Sequence, residues 1–254
     1  MSARPRTRAL PPPLPPEERT VGQLVGEAMR VYGRRFWAAL AIGVPVAAVN
    51  ALAGLVPTGP EQLLIPAGGA LLLSLSYVAA CAIVLEKPLR RRAALVAYAI
   101  GVLVFVPFPF LAAFFVLPAL VWLAFVGLAV PAAFVEELGV RAALARGTAL
   151  ARAGFVHVLG GFATLALVVF VTQAGLYFVL REYAENTQLV AAILASVVVS
   201  PLVFLGAALL YVDQEARLRS RDEPRKEPDA DLPHALHAHR KRRSDAARKS
   251  RPPA

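Results

Sequence analysis

Residues 93–134, AALVAYAIGVLVFVPFPFLAAFFVLPALVWLAFVGLAVPAAF, contain no Asp, Glu, Lys or Arg. As one helix this run would be about 63 Å long at ~1.5 Å per residue, twice the ~30 Å hydrocarbon thickness of a bilayer. Near its middle stands Pro107-Phe108-Pro109-Phe110, where two backbone donors needed by a continuous helix are missing. The run therefore reads as two helices, about 93–108 and 111–134, joined by a tight turn at that motif. Whether it crosses a membrane once or twice decides the topology of the whole chain.

Four more stretches, 36–56, 63–85, 157–180 and 189–212, are also free of charged side chains. Each is near the roughly 20 residues that one crossing requires. With 93–134 counted as two spans, all but one of the 27 Lys and Arg residues fall on alternate connecting segments; the exception is Arg181. Counted as one span, the same residues divide almost evenly between the two sides. The positive-inside rule thus selects six spans with both termini cytoplasmic. The composition agrees, at 57% hydrophobic and 17% charged over 254 residues, against about 45–50% and 25% in soluble domains.

The expected fold class is all-α: a polytopic membrane helix bundle of six transmembrane helices plus two cytoplasmic interfacial amphipathic helices. The membrane domain covers 20–213, between a basic, Pro-rich N-terminus (1–19) and a basic tail (214–254), both expected to be disordered because they hold too few large apolar residues to offset chain entropy. Ala51-Leu52-Ala53 resembles a signal cleavage site, but the basic region ahead of it and the apolar run are both too long for a signal peptide, so no cleavage is expected. The formal charge of +10 arises on segments flanking spans, which points to a cell-membrane protein and not to nucleic-acid binding.

The first interfacial helix, Thr20 to Arg35, opens with Thr20-Val-Gly-Gln23, the Thr-x-x-Gln form of a capping box. Its apolar residues Val21, Leu24, Val25, Ala28, Val31 and Tyr32 recur at helical spacing. The second, Glu137 to Arg152, gathers Glu137, Arg141, Thr148 and Arg152 on one stripe, with Glu137 placed to pair with Arg141. Each helix either lies in the headgroup layer or caps the bundle. Each also ends in Arg before a Phe-x-x-x-Leu step into a span (Arg35, Phe36, Leu40; Arg152, Phe155, Leu159), which suggests a parallel duplication. Within the spans, Gly43, Ala47 and Ala51 form a small-residue stripe of the kind that lets helix backbones approach closely. Pro45, Pro66, Pro118 and Pro201 are expected to kink their helices.

Chemistry is scarce. No metallohydrolase, nucleotide-binding or nucleophile-elbow motif occurs, so no catalytic residue, metal or cofactor is expected. His157, at the start of the fifth span, would need Glu136 or Glu137 as a placed partner to act in acid–base catalysis; a boundary residue is the blander reading. His234, His237 and His239 read as part of a solvated tail. Cys81 reads as a small core residue. The strongest intramembrane polar groups are Asn50 and Gln173, both in the outer half of their spans, where they would hydrogen-bond one another or other neighbours.

Lipid headgroups are the expected partners of the basic residues: Arg30, Arg34 and Arg35 ahead of the first span, Lys87, Arg90, Arg91 and Arg92 between the second and third, and Arg240, Lys241, Arg242 and Arg243 in the tail. The alternative is that these charges serve only to orient the chain during insertion. The functional expectation is a non-catalytic envelope scaffold or accessory protein contacting the lipid bilayer and its anionic lipids, with unknown protein partners and no nucleic acid. A transporter or channel for a lipid or small apolar solute is the alternative, weakened by the absence of intramembrane charge. An intramembrane lipid-modifying enzyme is the third.

Thr20-Val-Gly-Gln-Leu24 with Ala28, Arg30, Tyr32, Arg35 and Phe36 resembles the start of the polytopic domain fused to some bacterial glycerophosphoryl diester phosphodiesterases and found alone in uncharacterised membrane proteins. Pro131, Glu136 or Glu137, Ala143-Leu144, Arg146, Leu150, Arg152, Phe155 and Gly160 resemble its middle, and Pro201-Leu202-Val203, Tyr211-Val212-Asp213 and Arg217 its end. The fused enzymes carry a separate soluble barrel, and the residues after 212 are too few for a barrel of ~250. The resemblance therefore implies the membrane fold without the phosphodiesterase activity.

Overall fold

The computed structural model describes residues 15–56 and 59–222, which form helices and short connections with no strand among them. In chain order the helices are α1 (Val21–Arg34), α2 (Phe36–Gly54), α3 (Leu64–Gly68), α4 (Ala70–Leu85), α5 (Arg91–Phe105), α6 (Phe108–Phe114), α7 (Val116–Val126), α8 (Ala129–Glu136), α9 (Val140–Ala153), α10 (Phe155–Leu180) and α11 (Glu185–Asp222). Five helical stretches are long and apolar enough to cross a membrane: Phe36–Gly54, Arg91–Phe114, Val116–Glu136, Phe155–Leu180 and Asn186–Arg221. The remaining apolar helix, Ala70–Leu85, has 16 residues. It follows α3 across Gly69, itself in the right-handed helical region, so residues 64–85 together reach roughly 33 Å. The chain is an all-α membrane helix bundle.

The outside of the bundle carries large apolar side chains, among them Trp37 at 77% and Phe114 at 89% exposure. A surface this apolar marks contact with a membrane or with another protein. Inside, alanines dominate, and α4, α5 and α8 pack side by side with α2 against α4 and α9 against α8. Small interior residues follow from the solvent: lipid tails are as apolar as Leu, so association depends on close backbone approach. Gly43 shows this. Of the small-residue stripe expected from the sequence, Gly43 faces α11, where a Cβ on it would strike the Val197 carbonyl.

The Pro-Phe-Pro-Phe segment does not turn the chain. Val106 and Pro107 stay in the right-handed helical region, and α6 runs on to Phe114. The reversal lies at Phe115, which is extended (φ −167°, ψ 140°). Pro107 and Pro109 occupy the cap and first turn of α6, where the missing donors have no intrahelical partner in any case. Pro118 acts differently, because in an uninterrupted helix its ring would meet the Phe114 carbonyl four residues back. It therefore stands in the first turn of α7 and does not kink a span. Arg90 to Glu137 at 3.0 Å and Trp122 to Val104 at 2.9 Å tie the two arms together, in the register of a hairpin whose tip is near Phe114.

Side chains from neighbouring helices bind carbonyls beside these interruptions. The Tyr77 hydroxyl donates to the Gly127 carbonyl (3.1 Å) between α7 and α8, Trp122 Nε1 to Val104, and Ser76 Oγ to Ile42 (2.8 Å) near Pro45. A proline-broken helix survives in hydrocarbon by such replacement partners. Tyr77, Phe105 and Phe204 contact one another edge-to-face or tilted, at about 6 Å between ring centres, joining α4, α5 and α11.

The expected capping box of α1 is present, with both the Thr20 and Gln23 side chains engaged. The second amphipathic helix starts later than expected, at Val140, because Glu137 ends α8 in the left-handed region (φ 55°). Glu137 therefore does not share a helix with Arg141 and bonds Arg90 instead. The apolar faces of α1 and α9 lie on the bundle, α1 against α10 and α9 against α7 and α8. The two units repeat one local structure. Each is a 14-residue helix, a single-residue joint and a long apolar helix, with Arg35 at φ −126°, ψ 46° and Gly154 at φ −150°, ψ 49°. Aligned on those joints, buried Leu24, Ala28, Val31, Ala39, Ile42 and Gly43 fall on buried Ala143, Gly147, Leu150, Val158, Gly161 and Phe162.

The last helix does not stop near 212 but runs on to Asp222, so 214–222 is helical rather than part of a disordered tail. Residues 15–19 are ordered as well: a short 3-10 turn at Pro16–Glu18 leads into a buried Arg19. Residues 1–14 and 223–254, with His234, His237, His239, Arg240, Lys241, Arg242 and Arg243, lie outside the described residues.

Candidate functional site

Side-chain ties gather the joint after α1, the α4–α5 and α8–α9 connections, the start of α10 and the end of α11 at one end of the bundle. This basic end holds all the described cations proposed from the sequence, and the structure divides them. Arg30 pairs with Glu27, Arg35 lies 3.6 Å from Glu86, Lys87 donates to the Val135 carbonyl at 3.0 Å, and Arg90 bonds Glu137. Glu86 and Glu137 both end their helices in the left-handed region, which places one carboxylate in each connection beside an arginine. Arg34, Arg91 and Arg92 have no ion pair among the described residues, and neither do Arg141 and Arg152, which the sequence reading did not count as headgroup ligands; all five are exposed. Arg34, Arg35 and Glu86 also line a cavity of about 210 Å³ floored by Val31 and Ile83.

Beneath this surface lies a polar cluster that sequence reasoning missed. Asp213, fully buried, accepts from Arg19 Nη1 at 2.6 Å and has its second oxygen 4.0 Å from His157 Nε2. Arg217 Nη2 donates to the Arg19 carbonyl at 2.8 Å. Gln214 is fully buried against Gly154, with no direct partner for its amide among the described residues. A buried charge needs a partner, and Asp213 finds it 194 residues away in the sequence. The available signal was an acid placed immediately after an apolar run, where solvation by a neighbouring cation is required.

The His157–Glu136–Glu137 grouping does not form. Glu136 accepts from Arg146 Nε at 2.9 Å and from the Tyr211 hydroxyl at 3.0 Å. The first of these bonds raises the Arg146 pKa above its ordinary value. Glu137 is held by Arg90, while His157 sits beside Asp213. No group of three or more His, Cys, Asp or Glu side chains able to hold a metal occurs among the described residues. Cys81 is buried.

Asn50 and Gln173 do converge, but on a third residue. Asn50 Nδ2 and Gln173 Nε2 both donate to Ser196 Oγ, at 3.1 and 3.3 Å, and Ser196 donates to the Ala192 carbonyl at 2.8 Å. A hydroxyl with one proton and two lone pairs is thereby saturated. The node ties α2, α10 and α11 together in the half of the bundle away from the basic end. A cavity of about 390 Å³ adjoins it, with Gln173 and Gln188 among mostly apolar walls.

No family model, no curated protein and no solved structure matches this chain.

Proposed function

We propose that this chain is a multi-pass cell-membrane protein with both termini in the cytoplasm. Its basic end contacts anionic lipid, as a non-catalytic scaffold or accessory protein of the envelope. The observation that carries the reading is the exposed set Arg34, Arg91, Arg92, Arg141 and Arg152, which have no carboxylate partner among the described residues while neighbouring cations are tied down. Each basic residue near an anionic leaflet contributes about 1 kcal/mol, fading over a Debye length of ~10 Å. Kinship with the fused membrane domain rests on the residue patterns quoted above and belongs to the same proposal.

Spin-labelled phosphatidylglycerol and phosphatidylcholine, added to the protein reconstituted in bilayers, test the lipid contact. A several-fold preference for the anionic lipid at low salt, falling as salt is raised, is expected; equal association would leave the charges as orientation signals alone. Orientation is tested in cells after Cys81→Ala. A cysteine at Asn186 should react with an impermeant maleimide from outside and one at Ser220 should not, and the opposite pattern would reverse the topology.

A further inference from the structure

An apolar groove of about 590 Å³ runs between α4 and α5 on the outer surface of the bundle. Its walls include Leu71, Leu75 and Val78 on α4 and Leu95 and Tyr98 on α5, and Arg91 stands at its mouth. The two helices are antiparallel and meet closely where Gly101 faces Ser74. Arg91 is therefore level with the end of α4, and Leu71 lies about 21 Å further along that helix. Half of a ~30 Å hydrocarbon core is ~15 Å, so the groove crosses one leaflet and part of the next. Leu71, Leu75 and Leu95 are 52%, 54% and 67% exposed, so the groove is open to the bilayer along its length.

The mouth is chemically different from the walls. Arg91 is exposed, has no ion pair among the described residues, and is the first residue of the 15-residue α5. No side chain caps that helix, so its first-turn N–H groups and positive dipole end add to the arginine's attraction for an anion. A hydrocarbon slot with a cationic rim at one membrane surface matches an amphiphile with a chain and an anionic head. A second copy of the protein fits poorly, because a two-fold contact through this face would bring Arg91 and Arg92 against their own counterparts.

We propose that the α4–α5 groove is a discrete site for one phospholipid of the basic-end leaflet, with an acyl chain along Leu71, Leu75, Leu95 and Tyr98 and the phosphate on Arg91. This rests on the membrane-lipid reading above and adds a defined stoichiometry and place to it.

Native mass spectrometry of the full-length protein in detergent, titrated with palmitoyl-oleoyl phosphatidylglycerol, tests the site. One lipid per chain should bind ahead of all others. Arg91→Gln should weaken that first binding about fivefold, the equivalent of ~1 kcal/mol, and Leu75→Trp should abolish it. Leu95→Trp on the opposite wall should act like Leu75→Trp, which guards against one variant simply misfolding. Leu167→Trp, on the exposed face of α10, should leave the first binding intact. Undiminished first binding in both groove variants overturns the site. Displacement of the lipid by inorganic phosphate alone overturns it too, since the acyl chain would then contribute nothing. So does a wild-type dimer that either groove variant converts to monomer, because the occupant would then be a second copy. If the groove variants bind normally while bilayers still show the anionic preference, the groove fails and the general lipid reading stands. If the groove variants bind normally and bilayers show no anionic preference, both fail.

Discussion

Arg19→Ala is expected to lower the stability of the detergent-solubilised protein by about 3–5 kcal/mol, the usual cost of stripping one partner from a buried ion pair. Asp213 is fully buried and Arg19 Nη1 is its hydrogen-bonded cation at 2.6 Å. Without the guanidinium, the carboxylate keeps only the more distant His157 at 4.0 Å and the neighbouring Arg217. Those groups should place the loss toward the lower end of the range. Arg19→Met combined with Asp213→Leu should recover most of it, because a buried pair removed as a whole leaves no orphaned charge. Thermal unfolding followed by helical circular dichroism measures both. An Arg19→Ala protein melting with the wild type would mean that the N-terminal segment does not brace α11.

Gly43→Val is expected to cost about 3 kcal/mol, the upper end of ordinary overpacking. The obstacle is backbone: a Cβ at this position meets the carbonyl of Val197, which cannot rotate aside. The helices must separate, and the Asn50–Ser196 bond of 3.1 Å separates with them. Gly175→Val in α10 is the matched control, because nothing lies within 4 Å of a Cβ built there, and it should shift the melting point little. Similar losses for the two would mean that helix propensity, and not the α2–α11 contact, accounts for the effect.

Much of the site was partly legible beforehand. The arginines proposed to face lipid could be found from charge position, yet which of them have carboxylate partners among the described residues could not. Among the described residues, Arg30 and Arg35 have ion pairs, while Arg34 between them in sequence has none. Helical geometry turns adjacent residues about 100° apart, so neighbours meet different partners. Glu137 illustrates the same difficulty. Its spacing to Arg141 suits a helix, but the chain leaves the helix at Glu137 with φ 55°, and the carboxylate goes to Arg90.

The sequence by itself determined the class of fold, the apolar segments, and the concentration of cations at one end. These follow from local rules: hydrocarbon excludes charge, every backbone group inside it must be satisfied within a helix, and Thr20 with Gln23 caps α1 using atoms three residues apart. Tertiary structure alone decided that Asn50 and Gln173 meet through Ser196, that Asp213 is neutralised by Arg19, and that the hairpin reverses at Phe115 instead of at its most conspicuous prolines. A side chain in low dielectric takes whichever partner packing brings within about 3 Å. Residues separated by most of the chain reach that distance only once every helix is in place.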